Sequence, residues 1–150
     1  SRFGLYRTRI LPLTGDEEGE HYELLLRRRD ETGKIVSPDQ FIVAAERYGI
    51  TPSFDRWVVN NLFRWLVSEA DERERLALVA VNLSGQSLGD EKFLPFVIDH
   101  FHRSGVDPGK VCFEITETAA IANFSQAKRF IQALRDLGCK FALDDFGTGL

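Results

Sequence analysis

The sequence contains no methionine, only two cysteines and five prolines in 150 residues. With even an initiator methionine missing, the expectation is a piece of a longer protein rather than a whole gene product. No run of about 18 apolar residues occurs, so no membrane-spanning helix is expected. No basic segment followed by an apolar one opens the chain, so no signal peptide is read. An excess of basic charge is lacking too, the net charge being -4. Binding to duplex nucleic acid draws much of its affinity from neutralised phosphates, so no duplex partner is expected. A small anion held through metal cations suits an acidic chain. Cys112 and Cys139 form no CxxC or other ligand spacing. Set in apolar runs, they read as buried reduced thiols, which suits a cytoplasmic protein and leaves membrane attachment of a parent open.

What is present is ordinary globular material, 43% hydrophobic and 28% charged, enough for one domain with a core. Two hydrophobic periods alternate along it. Strands are predicted over Phe3 to Leu13 and His21 to Arg28, with a Gly- and acid-rich turn between them. Ser37-Pro38-Asp39-Gln40 reads as a helix start and Gly49 as its stop. A longer helix is predicted from Ser53 through Leu66. Strand, helix, strand, helix, strand then follow, at Leu76 to Leu83, Glu91 to Arg103, Lys110 to Thr116, Phe124 to Leu137 and Cys139 to Asp144. These strands are apolar on both faces, as parallel strands covered by helices are. The pattern implies an α/β fold, doubly wound or barrel.

Polar residues interrupt these apolar strands in a repeated way. Asn82 ends one strand, Glu114 and Glu117 mark the next, Asp144 and Asp145 the last, and Glu23 stands beside three leucines. Asn82, Glu114 and Asp144 lie roughly one strand–helix unit apart. They are therefore expected to converge at one end of a barrel, joined by Glu23. Several unpaired carboxylates buried together cost several kcal/mol each, to order of magnitude. Hard divalent cations, Mg²⁺ or Mn²⁺, offset that cost through their preference for oxygen ligands. The alternative is that Glu23 and Glu114 form salt bridges while Asn82 and Asp144 cap the following helices.

Several motifs carry a family resemblance. They are His21-Tyr22-Glu23-Leu24-Leu25-Leu26-Arg27, the helix residues Pro38, Phe41, Ile42, Ala45, Glu46 and Gly49, then Val81-Asn82-Leu83-Ser84, Glu114-Ile115-Thr116-Glu117 and Asp144-Asp145-Phe146-Gly147-Thr148-Gly149. In order and spacing the chain resembles the first part of an EAL domain, with Leu24 in the alanine position of the signature. The resemblance implies a (β/α)₈ TIM-type barrel, here about its first five strands and their helices, truncated after the fifth-strand loop. It implies hydrolysis of one phosphodiester of cyclic di-GMP to linear pGpG at a two-metal Mg²⁺ or Mn²⁺ site. By position, Glu23, Asn82, Glu114 and Asp144 would bind the first metal, and Asp145 would serve the second metal and the attacking water. Glu117 would fix the loop from Phe146 to Gly149, which borders a homodimer contact. Arg27 would reach a substrate phosphate, and Leu25, Pro38 and Phe41 would line the guanine surface. Sensor or GGDEF domains are implied in the parent protein.

Some positions depart from the family pattern. Thr8-Arg9-Ile10 replaces the usual Gln-Pro-Ile, and threonine reaches less far than glutamine toward a ligand. Arg9 is read as a solvated edge charge in preference to a phosphate contact. Arg28 replaces a common tryptophan. A lysine and further glutamates that the family needs would lie past residue 150, so the fragment alone is expected to be inactive. His21, His100 and His102 read as surface or boundary residues, and Trp57, Phe63 and Trp65 as helix packing. Two rival functions stay open: a degenerate EAL domain acting as a cyclic di-GMP receptor, and an unrelated metal-dependent barrel enzyme.

Overall fold

A computed structural model describes residues 3–10, 19–36, 47–49 and 51–144. Three strands come first: β1 (Phe3–Ile10), β2 (Glu20–Arg29) and β3 (Ile35–Val36). Helices α1 (Thr51–Ser68) and α2 (Ala70–Arg75) lead into β4 (Leu76–Leu83). Then follow α3 (Gly85–Leu88), α4 (Phe93–Ser104), a 3₁₀ turn (Pro108–Lys110) and β5 (Val111–Thr116). The described part closes with α5 (Glu117–Ala122), α6 (Phe124–Leu137) and β6 (Lys140–Asp144).

The strands form one sheet in the order β1-β2-β4-β5-β6, with β3 paired to β2 alone. From β2 to β6 the neighbours are parallel, each joined through helix. β1 runs antiparallel to β2, which departs from a uniformly parallel barrel. The link between them is shorter than the dozen or more residues that a parallel crossover needs. β3 was not anticipated. It arises from a tight turn in which Asp30 Oδ1 accepts from the amides of Thr32 and Lys34, both at 2.9 Å.

Strand alternation gives the sheet two distinct faces. Val79, Val81, Leu83, Val111, Phe113 and Ile115 face the helices and are buried. Against them pack Leu62 and Leu66 of α1, Phe93, Val97 and Phe101 of α4, and Phe130 and Leu134 of α6. Their spacing, three or four residues apart, is what the helical period demands. The phenylalanines interlock: Phe93 stacks on Phe130 at 5.9 Å, and Phe113 meets Phe130 edge-on at 6.1 Å. Gly105 at φ 69° and Gly138 at φ 114° end α4 and α6 in the left-handed conformation. Gly49, at φ 69°, has the same conformation. The helix start at Ser37 and the residues up to 46, including Pro38 and Phe41, lie outside the described residues.

Candidate metal and ligand face

The second face of the sheet carries the polar residues. On β2, Glu23, Leu25 and Arg27 alternate onto it, all partly buried. Glu23 pairs with Ala80 of β4, and Asn82 lies two positions further along that strand. Asn82 is directly level with Glu114 of β5. Glu114 is level with Ala142 of β6, and Asp144 lies two positions beyond, paired with Thr116. Every step in this series is even, so Glu23, Asn82, Glu114 and Asp144 occupy register positions on one face. A closed eight-stranded barrel with a shear of about eight shifts by about one residue per strand pair on average. The observed offsets of two, none and two are of that size.

Contact follows from register at one point. Asn82 Nδ2 reaches Glu23 Oε1 at 3.4 Å, a long hydrogen bond linking residues 59 apart in sequence. The partner of Glu23 there is an uncharged amide, so the salt-bridge alternative is not what this contact shows. The capping alternative fails for Asn82. Ser84 caps α3, its side chain accepting from Ser87 N, and Thr116 caps α5, accepting from Ala119 N at 3.0 Å. Small side chains, Ala80, Cys112 and Ala142, share the face with the oxygen donors.

Among the described residues no group of three or more His, Cys, Asp or Glu forms a metal cage. Glu23 and Glu114 are the two acids of the expected set whose side chains are described; the Asp144 side chain, Asp145 and the loop from Phe146 to Gly149 lie outside. The donor types present, carboxylate and amide oxygen, fit Mg²⁺ or Mn²⁺ by hardness.

The remaining expected residues are placed as follows. Glu117 is the first residue of α5, where an acid meets the positive end of the helix dipole. Arg27 donates from Nη1 to the Leu26 carbonyl at 2.9 Å. Thr8 is exposed and directly opposite Glu23 across the antiparallel pair, whereas Arg9 pairs with Tyr22 on the other face, as a solvated edge charge would. Trp57, Phe63 and Trp65 pack on the core. His100 lies at a boundary but is held there by Asn60 Oδ1 at 2.7 Å and by stacking on Phe63 at 4.9 Å. Burial pushes its imidazole below the usual histidine range.

Both thiols are free and buried. Burial, with the Glu114 charge adding to it, pushes Cys112 up to about 11. Burial likewise pushes Cys139 up to about 12. They are held as thiols, not thiolate ligands.

One polar group behind the face was not anticipated. Asp55 in α1 is buried and accepts from Ser84 N at 2.9 Å, Ser84 Oγ at 2.7 Å and Ser87 Oγ at 2.6 Å. Burial raises its carboxyl above the ordinary aspartate range while these hydrogen bonds pull the other way. A sequence signal existed: Asp55 occupies the same helical stripe as Val58, Val59 and Leu62, where an acid is out of place.

Comparison with known proteins places this geometry in a family. The EAL domain family profile matches residues 12–150. Over 97% of its length the chain is 39% identical to the cyclic di-GMP phosphodiesterase PdeB of Shewanella oneidensis, covering 17% of that protein. It is 34% identical to the cyclic di-GMP phosphodiesterase PdeF of Escherichia coli over 92% of its length, covering 18% of it. The chain thus spans less than a quarter of these curated relatives. Among solved structures, the FimX EAL domain of Pseudomonas aeruginosa bound to c-di-GMP superposes with a TM-score of 0.83 at 32% identity. That superposition covers 96% of this chain and 57% of that one. The architecture is accordingly that of the α/β TIM-type barrel of such domains, and the chain belongs to the EAL domain family.

Proposed function

We propose that this chain is the first part of a domain that hydrolyses one phosphodiester of cyclic di-GMP, giving linear pGpG with two Mg²⁺ or Mn²⁺ ions. The observation that carries the reading is the common face shared by Glu23, Asn82, Glu114 and Asp144, with Glu23 and Asn82 already in contact. Relatives named as cyclic di-GMP phosphodiesterases supply the substrate class.

Glu23 and Glu114 provide anionic oxygens from neighbouring regions of the sheet, and Asn82 provides a neutral one between them. A half-turn of the Asn82 amide exchanges its Nδ2 and Oδ1, aiming an acceptor oxygen where the donor now points. When bound, a pair of divalent cations lowers the pKa of water and stabilises charge on a phosphodiester. Asp145 would hold the second ion and orient the attacking water, and Glu117 would steady the loop from Phe146 to Gly149. Arg27, released from the Leu26 carbonyl, donates to a substrate phosphate. Leu25, Pro38 and Phe41 flank a guanine. That loop also borders a homodimer contact, and sensor or GGDEF domains accompany the domain in its parent protein. The Vibrio cholerae LapD S helix-GGDEF-EAL structure, similar in fold, has such an arrangement by its name.

The experiment is hydrolysis of cyclic di-GMP by the complete domain in Mg²⁺, compared with Glu23→Ala. Formation of pGpG by the wild type and its loss in the variant support the reading. Equal product from both contradicts it, and binding without any product favours a receptor.

A further inference from the structure

We propose that Asp55 is a positioning residue for Asn82, and so for the cation site; this rests on the function proposed above and deepens it. Asp55 is 9% exposed and Ser87 1% exposed, and Ser84, partly buried, completes the cluster. A buried carboxylate is costly unless its charge is met by donors. Here all three donors converge on a single oxygen, Oδ2 of Asp55.

What they hold is the end of β4. Pairing of β4 with β2 stops at Leu24 opposite Val81, one residue before Asn82. On that side Asn82 has no ladder partner among the described residues; on the other it pairs with Glu114, and the ladder ends at Leu83. Two residues past Asn82, the Ser84 amide is fixed by Asp55. The Ser84 hydroxyl donates to Asp55 and accepts from Ser87 N at 3.2 Å, so one side chain ends the strand and starts α3. The Ser87 hydroxyl then ties α3 to the same oxygen of Asp55. Asn82 is thus pinned between the β5 ladder and a bracket anchored in α1, which restricts the direction in which its amide points. Gly85 lies where a Cβ would come within 3.2 Å of Ala119 Cβ, so the bracketed turn also packs closely on α5.

Groups that orient metal ligands from outside typically change metal affinity by about 10- to 100-fold when removed. The test uses the complete domain with Asp55→Ala, Asp55→Asn, Ser84→Ala and Ser84→Thr. Mn²⁺ affinity is read by electron paramagnetic resonance, amide hydrogen exchange by mass spectrometry over residues 80–88, and kcat and KM for cyclic di-GMP separately. Asp55→Ala and Ser84→Ala are expected to weaken Mn²⁺ binding about tenfold or more and to speed exchange at residues 82–84. They lower kcat at saturating Mn²⁺ and leave KM within about twofold. Asp55→Asn keeps the shape but weakens acceptance and falls between them and wild type; Ser84→Thr keeps the hydroxyl and restores Mn²⁺ affinity. If Asp55→Ala does not fold, Asp55→Asn and Ser84→Ala decide. Lower thermal stability with unchanged Mn²⁺ affinity and unchanged kcat would overturn the positioning role. Glu23→Ala in the same series separates the two ideas. An active Glu23→Ala defeats the proposed function, whereas an inactive Glu23→Ala beside Asp55 and Ser84 variants with normal Mn²⁺ affinity defeats this inference alone.

Discussion

At the scale of single residues, the face of the sheet is a contest between burial and oxygen chemistry. Thr8 stands directly across from Glu23 and is exposed, so it can be lengthened without touching the core. Thr8→Gln is expected to tighten cyclic di-GMP binding to the complete domain about 2- to 10-fold, the worth of one added hydrogen bond, as read by calorimetry. No change would mean that β1 does not reach the ligand. The thiols give a second test. With Cys112 at about 11 and Cys139 at about 12, neither should be alkylated by iodoacetamide at pH 8 in the folded chain. Denaturant should expose both, as counted by mass spectrometry. Glu23, Asn82 and Glu114 were readable from sequence because each is a polar interruption at a fixed place in an apolar strand. Asp55 was not read, although it interrupts a helical stripe in the same manner, because its partners Ser84 and Ser87 are distant in sequence.

At the scale of elements, legibility tracked the strength of the local signal. β4 and α6 have the bounds that the sequence predicts, Leu76–Leu83 and Phe124–Leu137, because a continuous apolar run or a helical stripe meets a clear stop. The short helices α2, α3 and α5 were missed. At six, four and six residues they are too brief to show a period; Ser84 and Thr116 cap α3 and α5, whereas α2 has no side-chain cap. The antiparallel β1 is set by the length of its connection, which hydrophobic pattern alone does not encode. Phe113 of β5 is fully buried among Phe101, Phe130 and Phe141. Phe113→Ala should destabilise by about 3–5 kcal/mol in denaturant unfolding. Asp90, in the turn after α3, pairs with Arg56 of α1 at 2.9 Å, and the guanidinium holds its carboxyl below the ordinary aspartate value. A depressed folded pKa gives stability that is present above the unfolded pKa and lost as pH falls through the folded one. Asp90→Asn should therefore flatten the acid limb of the stability–pH profile below the usual aspartate range and leave its slope near pH 7 unchanged.

At the scale of the whole molecule, the sheet has β1 at one border and β6 at the other. Apolar side chains near β6 are well exposed: Ile121 at 69%, Phe124 at 68% and Leu143 at 51%. Phe124 and Leu143 border a cavity of about 650 Å³ lined also by Ile115, Ala127 and Ile131. Exposed apolar surface beside an unpaired strand favours association. The 150-residue chain on its own is expected to self-associate in sedimentation. Cooperative unfolding of a strictly monomeric chain would contradict that reading. If oxygens from separate strands meet around divalent cations, as proposed, Mn²⁺ binding to the complete domain depends on them whatever the turnover. Glu23→Ala, Asn82→Ala and Glu114→Ala should each weaken Mn²⁺ by about tenfold or more, while the exposed Glu74→Ala, outside the proposed site, leaves it unchanged. Wild-type affinity in all three variants would contradict the account.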